Sequence, residues 1–478
     1  MIARSSTDGR RPTGATFLTL LASAWLAGSC GSETEVVDCY RDPGQLGCAP
    51  ARGGGQGSMV VRLGLVAPLT GSASGAGSNI LNAASLALEE AGGGVGDYTV
   101  ELVPIDSESA SDPARTAELY RAAITSNDLI AGLLNWHSGV AVELMDVAAD
   151  AEMAHLFGLG ATDAINQKYA SDPERYRVWS AKGWPQPSTY VRSYLDLLEC
   201  LLSSACTEAT AATPWSPGQR SMYVVVEPGS WGGAFAAGVT DNVTAPGGFW
   251  AGQGWTVAGS IELSADDDAT ELNRKAAQVA DSGASVVLMT TTAESFGQFV
   301  QALRQAADPD PLIVAEGLGW TQQSLDSAGL AAVGVLDGGY APYNGDPDRA
   351  ATVTQFREAF ERRFGTPPNT SSAGLAYDYT RFALRVLERA LEKSGTLTRA
   401  SVLDVYANEV RTGQLRFEQG VVMSSYAYTS TSAPDPSYGL GEYYFPVYQY
   451  QGPNGEGAID TTTVFPGTLK NADVVIPR

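Results

Sequence analysis

Met59-Val60-Val61-Arg62-Leu63-Gly64-Leu65-Val66-Ala67-Pro68-Leu69-Thr70-Gly71 decides the fold. Val60 to Pro68 is an apolar run of strand length, and such a run predicts a buried strand. A Gly/Ser loop follows at Gly71–Gly77. Asn79–Ala91 then sets Ile80, Ala84 and Leu88 on one face of a helix. Strand, glycine loop and helix together make the opening of a βαβ unit.

The pattern repeats outward from there. Thr99–Ile105 alternates as a strand, and Asp112–Ser126 predicts a helix with Pro113 in its first turn. Leu129–Leu134 reads as a buried strand, 138–151 as a helix and 154–158 as a strand. A second run starts with a helix at 185–203. It continues with strands at Met222–Val226, Val257–Glu262, Ser285–Met289 and Leu312–Ala315, and helices at 231–244, 268–282 and 293–306. Val333–Tyr340 predicts a further strand, and helices follow near 350–364, 372–393 and 399–409. The tail from Leu415 is rich in Tyr and Gly and strand-like. Two alternating runs predict an α/β protein of two lobes, each a doubly wound parallel sheet covered by helices. Ligands of such sheets bind beyond the carboxyl ends of the strands, so two facing lobes enclose a cleft.

The flanks read differently. Arg4, Arg10 and Arg11 precede an apolar stretch at Ala15–Leu26 that is too short to span a bilayer. Small residues then lead to Leu26-Ala27-Gly28-Ser29-Cys30. Residues 1–29 are expected to be a signal peptide. Cys30 sits where a bacterial lipobox places its lipidated cysteine, with Ala27 where such boxes prefer Leu. An ordinary secretory cut near Ser29 is the other reading. Residues 30–58, ending in Gly-rich 49–58, are expected to be an anchor leader and linker. Export to an oxidising compartment favours two disulfides, Cys39–Cys48 and Cys200–Cys206, although spacing alone does not fix the pairing.

Composition removes several functions. The chain has 478 residues, 53 acidic against 30 basic, and a net charge of −23. Such a surface repels phosphate backbones, so nucleic acid is not an expected partner. No Gly-x4-Gly-Lys-Ser/Thr loop, Gly-x-Ser-x-Gly elbow or His-Glu-x-x-His helix occurs. His137 and His155 are the only imidazoles. No cofactor, metal or enzymatic activity is expected. Asn344-x-Asp346-x-Asp348 begins like a calcium loop but has Arg349 where the glycine should be, so it reads as a solvated acidic turn.

Several stretches carry a family resemblance. Gly64 to Gly71, with Gly77 following, resembles the opening strand and loop of type I periplasmic binding proteins. Leu86-Ala87-Leu88-Glu89-Glu90 before a Gly-rich turn, and Val103–Asp106, match their next elements. Phe356-x3-Phe360-x3-Phe364-Gly365, then Pro367 and Ala376-Tyr377-Asp378, is the most specific match. The likeness covers about residues 60–450 and points to the branched-chain amino-acid (Leu/Ile/Val) binding branch of ABC importers. It implies two lobes joined by three crossovers near 180, 340 and 413. Lobe 1 would be 59–180 with 341–412, and lobe 2 would be 181–340 with 413–478.

The same resemblance implies site residues. Ser138 stands where the family binds a ligand carboxylate; a helix N-cap is the alternative. Gly160 and Thr162 match a corner that holds the ligand's polar head, against the plainer reading of a turn. Trp231 falls at an aromatic position of the second lobe. Glu316 approximates the carboxylate for an α-ammonium. Trp184 stands where amino-acid binders often carry Asp, a departure that weakens the amino-acid assignment. Trp136, Trp184, Trp231 and Trp320 all fall near expected cleft edges, which raises a ligand larger or more aromatic than Leu; packing within hinge or core is the alternative. Lys182 reads as a solvated hinge residue.

The resulting expectation is an extracytoplasmic, monomeric lipoprotein on the periplasmic or cell-surface side of a bacterial membrane, held there by its lipid anchor only. It would capture an amino acid or related small carboxylate for an ABC permease in the inner membrane. A ligand-sensing lipoprotein of the same fold is the alternative, and an enzyme at the lobe interface is a third.

Overall fold

A computed structural model describes residues 59–71, 73–108, 112–203, 206, 215–264, 266–291, 295–316, 327–338, 350–368, 372–418, 420–423, 425–438, 447–453, 459–465, 473–474 and 476. Cys30, Cys39, Cys48, Trp320 and the Asn344–Asp348 turn lie outside these residues.

The elements, in chain order, begin with β1 (Met59–Ala67), α1 (Ser74–Glu90), β2 (Gly94–Val95), β3 (Tyr98–Asp106), α2 (Pro113–Ser126), β4 (Leu129–Leu133), α3 (Ser138–Asp150), β5 (His155–Leu156) and α4 (Asp163–Ser171). A short 3-10 turn, Arg175–Trp179, leads out of this group. Next come α5 (Pro187–Leu202), β6 (Ser221–Val226), α6 (Ser230–Thr244), β7 (Thr256–Glu262), α7 (Ala269–Asp281), β8 (Val286–Thr290), α8 (Phe296–Ala306), β9 (Leu312–Glu316) and β10 (Leu336–Gly338). The remainder is α9 (Ala350–Phe364), α10 (Ser372–Ser394), α11 (Arg399–Val405), β11 (Phe417–Glu418), β12 (Ser425–Tyr426), β13 (Val447–Pro453) and β14 (Ile459–Phe465).

Two sheets organise these elements. The first has the order β2-β3-β1-β4-β5 and the second β14-β13-β10-β9-β8-β6-β7. In the first sheet every pairing is parallel except β2 with β3. In the second, β10-β13 and β13-β14 are antiparallel and the rest parallel. Helices α9 and α10 pack against α1, and α11 against β4, so the chain returns to the first sheet after building most of the second. It therefore passes between the layers three times: between α4 and α5, between β10 and α9, and between α11 and β13.

The local signals explain the elements. Asp112 caps α2 by accepting from Arg115 N at 3.1 Å, with Pro113 behind it. Asp268 caps α7 in the same way, accepting from Glu271 N at 2.9 Å. Thr398 and Ser401 form a capping box at α11. The fully buried β6 sends Met222, Val224 and Val226 into one core and Tyr223 and Val225 into another, the two-residue period of a strand covered on both faces.

Two buried polar groups of the first layer, His155 and Asp378, have several partners each. His155 is fully buried, stacks on Trp179 at 4.1 Å, and pairs through Nδ1 with Tyr120 Oη at 2.8 Å and through Nε2 with the Leu134 carbonyl. Burial holds its pKa down at about 3, so the ring stays neutral. Asp378, the acid of Ala376-Tyr377-Asp378, accepts from Val421 N, Val422 N and Tyr426 Oη at 2.8, 2.9 and 2.5 Å. It thereby ties the last passage between the layers to α10. Cys200 and Cys206 are disulfide-bonded, with Cα atoms 5.2 Å apart.

Candidate functional site

The strands of both sheets run toward one cavity. It measures about 230 Å3 and is bounded by Trp136, His137 and Ser138 after β4, Leu159 and Ala161 after β5, Trp184 from the first passage, and Glu227–Trp231 after β6. This is the carboxyl edge of both sheets, where the loops after the strands converge.

The first-layer wall is stitched by short contacts. The buried Asn135 donates through Nδ2 to the His137 carbonyl at 2.9 Å, and its backbone carbonyl receives Leu159 N at 3.1 Å. Ser138 is the first residue of α3, and His137 occupies the cap position without a side-chain capping bond. The Ser138 hydroxyl therefore does not cap its own helix. Its oxygen accepts from Ala161 N at 3.0 Å, which joins the two loops, and its hydroxyl proton has no acceptor among the described residues. Gly160 is glycine because a Cβ there would come within 2.8 Å of the Ala141 Cβ. It supports this wall from behind rather than lining the cavity. Thr162 caps α4, accepting from Ala164 N at 3.4 Å, and its hydroxyl donates across the cleft to the Ser230 carbonyl at 3.2 Å.

The second-layer wall is set by a tight turn. Glu227 follows β6 immediately, and its N–H donates to the Thr290 carbonyl at 2.8 Å. Gly229 takes φ of 112°, a left-handed conformation that favours glycine. Gly232 lets α6 approach so closely that a Cβ would stand 2.0 Å from the Glu227 carbonyl oxygen. Trp231 in the first turn of α6 donates from Nε1 to Tyr190 Oη at 2.9 Å. Its polar edge is thus turned into the layer, and its carbon surface faces the cavity.

Trp184 is 1% exposed and lines the cavity from the first passage. Its backbone is held on both sides. Gly183 N donates to the Gly158 carbonyl at 2.7 Å, and Gln186 N to Asp435 Oδ2 at 3.0 Å. Lys182 is not solvated. It is fully buried, its Nζ lies 2.9 Å from Asp435 Oδ1, and its N–H donates to the Pro434 carbonyl at 2.7 Å. Asn166 donates to the same Asp435 oxygen at 2.9 Å. Burial lowers the Lys182 pKa, and Asp435 opposes that shift.

Glu316 does not reach the cavity. It ends β9 with 1% exposure and accepts from Thr290 Oγ1 at 3.2 Å. Burial holds its pKa well above the carboxylate range, with Asp337 and Glu227 adding to that shift. A carboxyl kept this way is a poor counter-charge for an ammonium. The carboxylate on the cavity wall is Glu227, half-buried and one residue past its strand. The family resemblance pointed to Glu316; Glu227 also stands at the carboxyl end of an apolar strand, a position that could have marked it. His137 is the other residue that the sequence reading passed over; burial lowers its pKa to about 4, so its ring is neutral at physiological pH. Among the described residues no cluster of three or more His, Cys, Asp or Glu is placed to hold a metal ion.

Residues 60–412 match the family described as periplasmic binding protein. The chain belongs to that family. Solved structures agree in fold. The branched-chain amino-acid substrate-binding protein of Streptococcus pneumoniae, in complex with isoleucine, superposes with a TM-score of 0.61 at 15% identity, covering 87% of this chain and all of that one. A solute-binding protein of an ABC transporter from R. palustris, in complex with 4-hydroxybenzoate, gives 0.63 at 13% identity over 85% of this chain and 98% of its own. A putative branched-chain amino-acid ABC transporter protein of Silicibacter pomeroyi gives 0.64 at 19%, over 87% and 99%. No curated protein matches in sequence. The family is one of periplasmic binding proteins, and these neighbours are named as substrate- or solute-binding or ABC-transporter proteins. Among the described residues no helix is long and apolar enough to cross a membrane.

Proposed function

We propose that this periplasmic binding protein is the substrate-capturing lipoprotein of an ABC importer, closing its two layers on an amino acid or related small carboxylate. The observation that carries this is the cavity at the shared carboxyl edge of both sheets, with walls from each layer and from the passage between them. Lobe 1 is then 59–180 with 341–412, and lobe 2 is 181–340 with 413–478. Ser138 offers its hydroxyl proton, at the start of the 13-residue α3, to the solute's carboxylate. Thr162, already in contact with Ser230, latches the closed form. Gly160 acts by letting α3 approach. Trp184 and Trp231 supply apolar walls. Cys30 is lipidated, and the linker to residue 58 tethers the body to the membrane beside its permease. Function as a monomer fits a site made wholly by one chain.

A thermal-shift panel of the amino acids and small aromatic carboxylates tests this. A ligand at 100 times its Kd stabilises the folded state by about 2.7 kcal/mol. At least one panel member should raise Tm, and Ser138→Ala should weaken that ligand. No shift with any member refutes the ligand class.

A further inference from the structure

We infer that capture of a carboxylate solute in this cleft is coupled to the uptake of one proton by His137, which turns a neutral ring into the cation that meets the bound anion. This rests on the cavity being the solute site and on the carboxylate reading above. His137 stands on the cavity wall between Trp136 and Ser138. Its backbone is fixed, because its carbonyl accepts from Asn135 Nδ2 at 2.9 Å and from Ala141 N at 3.0 Å. The ring has no such anchor. Its Nδ1 is buried without a hydrogen-bond partner among the described residues, and the side chain makes no capping bond to α3. The other imidazole, His155, lies in the core with both nitrogens paired. A buried polar nitrogen without a partner is costly, and a ligand that supplies the partner relieves that cost.

The charges around the cavity point to the same proton. Among the described residues lining it none is Lys or Arg, and the titratable ones are His137 and Glu227. Helices α2, α3 and α6 bring Pro113, Gly139 and Ser230 to it, none of which titrates. Lys182 does not line it and is paired with Asp435, with Asp163 as its other acidic neighbour. Ser138 and the amino end of the 13-residue α3 offer a hydroxyl and a partial charge only. A carboxylate taken out of water needs more than that, and His137 is the wall group that can become a cation near neutral pH. Burial holds its pKa at about 4 in this structure. An anion within about 4–6 Å raises a pKa by about 1–3 units. The complex then binds one proton more than the empty protein. Affinity therefore rises as pH falls from the pKa of the complex toward about 4, and is lost as pH rises through the pKa of the complex. A rise of about 2–3 units puts the latter at about 6–7, which makes capture about four- to twentyfold tighter at pH 5.5 than at pH 7.5.

Calorimetry on the full protein tests this with L-leucine, L-phenylalanine and benzoate as probes. Runs at pH 5.5 and 7.5, each in two buffers of different ionisation enthalpy, read both the affinity and the protons taken up. At least one probe should bind about four- to twentyfold more tightly at pH 5.5, with most of one proton taken up there. Imidazole nitrogen-15 shifts read the site directly, since His137 and His155 are the only histidines. The His137 ring should be neutral at pH 5.5 without the probe and protonated with it. His137→Gln should bring the affinities at the two pH values within about twofold, with near-ultraviolet dichroism showing that the variant is folded; the wild-type spectra decide if it is not. Equal affinity at both pH values with no buffer dependence overturns the inference and leaves the importer reading standing. A pH dependence that survives His137→Gln, or a His137 ring still neutral at pH 5.5 with probe bound, places the proton elsewhere, Glu227 included, and overturns it too. Binding of other panel members but none of these probes also overturns the inference, and no panel binding at all defeats the importer reading as well.

Discussion

Replacing Asp435 with Asn strands a buried cation where the layers join. Lys182 Nζ sits 2.9 Å from Asp435 Oδ1, with side-chain exposures of 0% and 8%. Removing one partner of a buried pair costs about 3–5 kcal/mol. Discharging the amine sets an upper limit. Neutralising a lysine of ordinary pKa near 10.4 costs about 4–5 kcal/mol at pH 7 and about 1.4 kcal/mol less for each pH unit above that. Burial already lowers the Lys182 pKa in the wild type, where Asp435 opposes the shift. Without Asp435 the folded state holds a neutral amine while the unfolded state stays protonated up to its ordinary pKa. The unfolded state then binds more protons, and the variant regains stability as pH rises. Asp163 is the other carboxylate that acts on Lys182, and it stays in place. With an unfolding entropy of ~2.1 cal/mol/K per residue over ~400 residues, 1 kcal/mol is worth about 1 °C. Calorimetry should show Asp435→Asn below wild type by at most about 5 °C at pH 7, and by less at pH 9. Adding Lys182→Met should recover most of the loss. An equal gap at both pH values, or a double variant no better than the single one, would refute the reasoning.

Three further outcomes follow from other buried groups. Asp337, whose pKa burial raises to about 8, destabilises the fold as pH climbs from its unfolded value near 4 toward 8; Asp337→Asn should therefore gain on wild type by about 1.4 kcal/mol per pH unit across that window, read from denaturant midpoints. His155 has its folded pKa depressed to about 3, so its contribution is present above pH 6.5 and lost on acidification; wild type should lose about 2 kcal/mol between pH 7 and 5 through this group, and His155→Gln should flatten that slope. Cys200→Ser with Cys206→Ser opens a bridge of sequence separation 6, and should cost about 2 kcal/mol by the chain-entropy relation, seen as a lowered Tm that reductant does not lower further.

The layered architecture was legible because each strand is an apolar run and each helix carries a stripe or a cap. Asp112 and Asp268 marked their helix starts to the residue. The opening helix begins at Ser74 rather than Asn79, since Gly75 and Gly77 disguise its first turn. Gly77 is required there because a Cβ would lie 1.8 Å from the Pro68 carbonyl oxygen. Helix α4 escaped notice because only Ile165 and Tyr169 are buried on it, too few to make a periodic face. Ser138, Trp184 and Trp231 were singled out by the family resemblance, the two Trp also by their places near strand ends and a crossover, and all three border the cavity. Glu316 and Glu227 both follow apolar strands. Sequence position does not say which side chain turns into the layer and which over its edge. Lys182 looked exposed because its partner, Asp435, comes from a distant segment that only the fold brings alongside.

Native mass spectrometry of the protein isolated from its exporting cells tests the central claim most directly, because a closed cleft retains its solute. One additional mass per chain is expected, released on denaturation and identified as an amino acid or related small carboxylate. A retained solute that is neither an amino acid nor a carboxylate, or a protein without bound mass that also gives no thermal shift with any amino acid or carboxylate, would contradict it.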